Sequence, residues 1–144
     1  MPTDLLLAAV VAAALFFDFT NGFHDAANAI ATSIGTRALR PTDALAMAAG
    51  LNIVGGIIYP TKVADTMTQI VDRGVASQEL VLAALLGAII WNLITWYYGI
   101  PSSSSHALIG GLVGAALGAA FEAGSVHWDK VMAKVLLPTV VSPL

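Results

Sequence analysis

Six polar side chains, Asp18, Asn21, Asp25, Asn28, Thr32 and Thr36, recur at intervals of three and four residues. At 100° per residue they fall within about 80° of one another, so a helix carries them all on one stripe. Such a stripe of carboxylates, amides and hydroxyls can coordinate a cation or hydrogen-bond a polar substrate. Asp25 is its costly member, because a carboxylate taken out of water needs a partner or a counter-ion. His24 beside it can relay a proton near neutrality or simply hydrogen-bond a neighbouring helix. The bland reading of the stripe is an interfacial turn whose polar groups satisfy one another. A second cluster, Ser102, Ser103, Ser104 and Ser105, follows Pro101 and precedes His106. If Pro101 opens a half-helix, serine hydroxyls and free backbone N–H groups converge on a site suited to an anion. A tetrahedral oxyanion fits such neutral donors, which hold it without a lysine that would slow its release. The bland reading here is a serine loop at an interface, with His106 only capping the turn. The apolar run ALIGGLVGAALGAA that follows argues instead for burial.

The elements that must position these groups are read from the apolar runs. Every residue from Leu5 to Phe17 is apolar, and the helical pattern runs on through the polar stripe to a break at Arg40 and Pro41. The start has Asp4 in place of a basic n-region and no small-residue cleavage site, so this run is expected to be a retained span rather than a leader. A second span is expected from Ala44 to Tyr59, with Gly50, Asn52, Gly55 and Gly56 inside it. Residues 60–79 gather Lys62, Asp65, Asp72, Arg73 and Glu79 and read as an extramembrane loop with a short surface helix. From Leu80 to Phe121 no Asp, Glu, Lys or Arg occurs. That stretch is too long for one crossing, and Gly99 with Pro101 divides it into arms Leu80–Tyr98 and Ser102–Phe121. A further apolar element begins after Lys134, contains Pro138 and Pro143, and is still running at Leu144. Gly110, Gly111, Gly114 and Gly118 offer a small-residue face for close helix packing. Trp91, Trp96, Tyr97 and Tyr98 read as an interfacial belt, and Asn52, Asn92 and Thr95 as interhelical hydrogen-bonding groups.

Composition agrees with a bilayer as solvent. Of 144 residues, 58% are apolar and 10% charged, against about 25% charged in an ordinary soluble domain. The net charge of −3, without a basic block, excludes nucleic-acid binding. With no cysteine there are no disulfides, thiolate metal sites or thiol nucleophiles, and three scattered His make no ligand cluster, so no metal centre is expected. Neither a P-loop nor a nucleophile elbow is present, which leaves no case for an enzyme. Arg37 and Arg40 in the first loop balance Lys62 and Arg73 in the second, so the positive charges set no orientation.

The stretch N-G-F-H-D-A-A-N-A-I-A-T from Asn21 to Thr32, followed by G-T-R-A-L, closely resembles the signature of the inorganic phosphate transporter (PiT) family. P-S-S-S-S-H-A-L-I-G-G-L-V-G from Pro101 to Gly114 resembles that family's serine-rich hairpin motif, and W-D-K-V with the later V-S-P-L resembles the stretch after the hairpin. His24 stands where some relatives have Asn, a variation that resembles the bacterial branch. The resemblance implies an all-α membrane protein, the first half of an inverted-repeat transporter with discontinuous helices and a re-entrant hairpin. Residues 1–144 would be an N-terminal transmembrane repeat cut within its last span. The implied activity is secondary active transport of inorganic phosphate, bare or as a metal–phosphate complex, coupled to H⁺ or Na⁺, in the cell membrane and without a resident cofactor. A C-terminal half, in cis or in trans, is the implied partner besides membrane lipid, and a homo-oligomer is left open. By the same likeness Asp25 and Asn28 are central polar residues of the first motif. Ser103, Ser104 and Ser105 are phosphate contacts, and Asn21 and Thr32 belong to the surrounding cation or substrate shell. His24 and His106 stand beside these as proton or substrate contacts. A carrier of a related anion such as sulfate, and a packing subunit that transports nothing, are the competing readings.

Overall fold

The computed structural model describes residues 3–58, 69–71, 76–120 and 126–141. Its long helices are α1 (Thr3–Gly35), α2 (Pro41–Ile58), α3 (Gln78–Tyr97) and α4 (Ser104–Ala120). A last helical stretch joins α5 (Trp128–Val131), a π-helical turn (Met132–Leu136) and α6 (Leu137–Val141). Among the described residues α1, α2 and α3 are long and apolar enough to cross a membrane. At 33 residues, α1 reaches about 50 Å, well beyond a hydrocarbon core of about 30 Å.

Local chemistry sets the boundaries. At the end of α1 the N–H of Arg37 bonds the Ile34 carbonyl and the N–H of Ala38 bonds the Ser33 carbonyl, both at 3.0 Å. Arg37 takes the left-handed conformation (φ 59°) that this cap requires, and glycine is its usual occupant because an L side chain costs about 1–2 kcal/mol there. Pro41 then opens α2 at a position where the missing N–H has no helical partner to lose. Ser77 caps α3 by accepting from the Leu80 N–H at 3.2 Å. Gly99 (φ 65°) closes α3, with its N–H on the Trp96 carbonyl and that of Ile100 on the Thr95 carbonyl. Pro138 lacks an N–H and crowds the preceding turn, which accounts for the widened π-helical turn just before it. The apolar pattern around this proline therefore stays helical.

Helix α3 is the central element. Its buried residues Ala84, Leu85, Ala88, Ile89, Asn92 and Thr95 recur at helical spacing. Phe17 of α1 packs with Leu85, Ala88 and Ile89, Phe23 meets Trp96 edge-on at 5.4 Å, and His24 reaches Thr95. Residue numbers rise together along this contact, so α1 and α3 run parallel. Helix α4 returns antiparallel, with Gly111 against Ala84 and Ser102 against Trp91. A Cβ on Gly111 would fall on the Ala84 backbone, 3.2 Å from its carbonyl carbon and 3.3 Å from its Cα. Of the four glycines expected to mediate close packing, Gly111 alone does so; a Cβ at Gly110, Gly114 or Gly118 would meet nothing within 4 Å.

A second apolar cluster unites Ile70, Val71, Leu80, Ala116, Val126, Val131 and Val135. Ile70 and Val71 are thus packed in the core and not solvated. Ile70 is fully buried, its carbonyl accepts the His127 N–H at 2.8 Å, and Val71 forms an isolated antiparallel bridge with Val126. The expected surface helix falls on residues outside the described ones. Toward the exterior the chain is apolar: Leu15, Leu51, Ile57 and Val140 are each more than 60% exposed. Toward the interior it buries Thr20, His24, Asn92, Thr95 and Ser104. Hydrocarbon solvates apolar side chains well and polar ones badly, so an apolar exterior around a few buried polar groups is what a membrane selects.

Candidate substrate and ion site

The polar seam between α1 and α3 is built by continuing their apolar faces. One turn beyond Phe17 and Thr20, the same face of α1 carries His24. One turn beyond Ala88, the face of α3 carries Asn92 and then Thr95. The Thr95 hydroxyl donates its proton to its own helix, at 2.9 Å from the Trp91 carbonyl and 3.1 Å from that of Asn92. With that proton committed, Thr95 can only accept from His24, whose Nε2 lies 3.4 Å away and therefore carries the hydrogen. In neutral His24 the buried Nδ1 is then a bare lone pair, without a hydrogen-bond partner and 3.6 Å from Oδ1 of Asp25. Two acceptors facing each other are reconciled by a proton or a cation between them.

Other buried polar atoms share this condition. Oδ1 and Nδ2 of Asn92, Oδ1 of Asn21 and Oγ of Ser104 have no partner. An unpaired buried polar group costs about 1–3 kcal/mol, and native proteins keep such atoms few. Among the described residues every one of them lies on α1, α3 or α4, the three helices that pack together.

The serine turn sits at the far end of the α3–α4 hairpin. Helix α4 begins at Ser104, three residues later than a start at Pro101. Ser103 is its cap: the Ser103 carbonyl accepts from the Ala107 N–H at 2.9 Å, and Oγ accepts from the His106 N–H at 3.4 Å. The backbone donors of the first turn therefore belong to Ser104, Ser105 and His106. Ser102 Oγ accepts from the Trp91 indole N–H at 2.9 Å. The His106 ring bridges Ser103 Oγ and Thr139 Oγ1, each at 2.8 Å. A pocket of about 580 Å³ opens here, lined by Gly87, Trp91, Ser102, Ser103, His106 and Gly111 among others.

The expected residues fall into two sets. His24 and Ser104 are buried and Asn21 is half-buried, whereas Asp25, Asn28, Thr32, Ser103, Ser105 and His106 are exposed within this chain. At 100° per residue the polar stripe of α1 is centred about 80–90° from the face formed by Phe17, Thr20 and His24, so it flanks the packed face instead of coinciding with it. Among the described residues no hydrogen bond joins the first motif to the serine turn; α3, with Trp91, Asn92 and Thr95, stands between them. Trp91 reads from sequence as a belt residue and Thr139 carries no signal beyond following a proline. Both take part in the serine turn.

An apolar exterior, a polar seam and a helix opened by serines beside a break define a multi-pass membrane protein with buried polar groups. Residues 21–144 match the phosphate transporter family, and the chain belongs to that family, which is one of transporters and not of enzymes. It is 54% identical over 142 residues to a probable low-affinity inorganic phosphate transporter of Streptomyces halstedii, covering 96% of this chain and 65% of that one. A probable low-affinity inorganic phosphate transporter of Bacillus subtilis is 51% identical over 143 residues, 97% of this chain and 42% of its own. The low-affinity inorganic phosphate transporter PitB of Escherichia coli is 39% identical over 153 residues, 99% of this chain and 31% of its own. Among solved structures, one described as the sodium-dependent phosphate transporter superposes with a TM-score of 0.87 at 30% identity, over 96% of this chain and 36% of that one. The chain thus spans less than two thirds of the length of these relatives. With three helices of spanning length, it is a multi-pass membrane protein.

Proposed function

We propose that this chain is the first repeat of a secondary active carrier that moves inorganic phosphate across the cell membrane with a coupling cation. The observation that carries this reading is the set of unpartnered buried polar atoms of Asn21 and His24 on α1, Asn92 on α3 and Ser104 at the start of α4. A buried polar set that a folded chain leaves unpaired is suited to a polar cargo. Ser104 and Ser105 supply neutral donors at a helix N-terminus for the phosphate oxygens, with Ser103 as a further contact beside them. Asp25, Asn28, Asn21 and Thr32 supply oxygens for the cation and the substrate shell. Exposure of Asp25, Asn28 and Thr32 supports a second, C-terminal half that covers the stripe, as an inverted repeat would. Whether phosphate travels bare or with a metal ion changes the charge that Asp25 must balance, not this division of roles.

Between H⁺ and Na⁺, the His24–Asp25 pair favours H⁺: a proton placed on Nδ1 removes the opposition of a lone pair to a carboxylate oxygen 3.6 Å away. Sodium coupling is supported by the structural neighbour, a sodium-dependent phosphate transporter. The test is labelled phosphate uptake by the full-length protein in vesicles. Asp25→Asn and Ser104→Ala each lower uptake while insertion is retained, and normal uptake by both variants sinks these site assignments. Competition by unlabelled sulfate separates phosphate from related anions, and insertion without any transport identifies a packing subunit.

A further inference from the structure

At the serine turn the protons can be counted. Thr139 Oγ1 lies 2.6 Å from the Val135 carbonyl, which can only accept, so the threonine proton is committed there. His106 Nε2, 2.8 Å from the same Oγ1, must be the donor, which fixes the neutral ring as the Nε2–H tautomer. His106 Nδ1 is then an acceptor, and Ser103 Oγ donates to it at 2.8 Å. Ser103 Oγ also accepts from the His106 backbone N–H. What remains for Ser103 to offer the pocket it lines is a lone pair. Ser102 is the opposite case. Trp91 donates to its Oγ, and its own proton stays free for a ligand. Among the described residues no charged group competes for His106: α3 brings Gly87 and Trp91 to the pocket, Lys130 pairs with Asp129 at 3.6 Å, and Lys134 donates to Gln69.

We propose that Thr139, acting through His106, is a positioning residue that makes Ser103 a hydrogen-bond acceptor, and that this acceptor selects an oxyanion carrying its own proton over one that carries none. The proposal rests on the phosphate-carrier reading. Hydrogen phosphate and dihydrogen phosphate have a P–O–H to give to Ser103 Oγ. Sulfate has the same shape but no proton near neutral pH, and sets an oxygen lone pair against that of Ser103. A site that confronts the wrong anion with a mismatched polar group discriminates more strongly than one that merely lacks a contact.

The experiment uses the full-length protein in vesicles. Labelled phosphate uptake is measured against rising unlabelled sulfate for the wild type, Thr139→Val and Thr139→Ser, and nitrogen NMR reads the His106 tautomer at a pH where the ring is neutral. The wild type and Thr139→Ser show the Nε2–H tautomer and poor competition by sulfate. In Thr139→Val the ring loses its acceptor and can donate from Nδ1, Ser103 recovers its proton for the pocket, and sulfate competes at about tenfold lower concentration, the size of one hydrogen bond. An Nδ1–H tautomer in the wild type overturns the proposal even where Thr139→Val fails to insert. Unchanged sulfate competition in an inserted, phosphate-transporting Thr139→Val also overturns it and leaves the carrier reading standing. Wild-type vesicles that take up no phosphate overturn the carrier reading and the selection together, whatever the tautomer.

Discussion

Asn92 sits fully buried in α3 with neither Oδ1 nor Nδ2 hydrogen-bonded, so Asn92→Leu separates stability from function. Leucine has nearly the same length and branching but no polar atom. Two unpaired groups at about 1–3 kcal/mol each put a gross penalty of roughly 2–6 kcal/mol on the wild-type fold. Part of that penalty persists in a membrane-inserted unfolded state, where an amide is also poorly solvated. Imperfect packing of a volume-conserving replacement takes back up to about 1.5 kcal/mol. The net expectation is a stabilisation of about 1–3 kcal/mol, read as a shifted midpoint of reversible unfolding in mixed micelles. Asn92 lies one turn before Thr95, which holds His24, so phosphate uptake by the full-length variant falls by at least about tenfold. A variant that is less stable than the wild type, or that transports normally, would refute the argument from unpaired groups.

Gly111→Ala drives a Cβ into the Ala84 backbone and lowers hairpin stability by about 1–3 kcal/mol, while Gly114→Ala, with open space around it, shifts the melting temperature little. Equal losses at the two positions contradict the packing described. Trp91→Phe keeps a ring but removes the N–H that orients Ser102, raising the KM for phosphate about tenfold or somewhat less with Vmax largely kept. An unchanged KM takes Trp91 out of the site.

Much of the helical framework is legible in the sequence because its punctuation is local. Arg40–Pro41 separates α1 from α2, and Gly99 closes α3 through a left-handed cap that only a residue tolerant of positive φ can form. The polar stripe of α1 is legible as a stripe, yet its environment is not. Periodicity says which residues share a face, while the choice of packed face depends on Phe17 and His24 meeting α3. The start of α4 shows the same limit. Four consecutive serines are chemically equivalent caps, and the one that serves is set by His106, which bonds Ser103 locally and Thr139, 33 residues on, across the fold. The burial of Ile70 is not legible because two β-branched residues in a polar stretch give no period, although Ile70 and Val71 pack with Ala116 of α4.

The central claim is that the buried polar groups of α1, α3 and α4, completed by a second half, move phosphate with a cation. Labelled phosphate uptake by the full-length protein in vesicles, with H⁺ and Na⁺ gradients imposed separately, tests it most directly. The account predicts concentrative uptake driven by the inward H⁺ gradient, abolished by Asp25→Asn. Uptake that neither gradient drives, or that survives unchanged in Asp25→Asn, would contradict it.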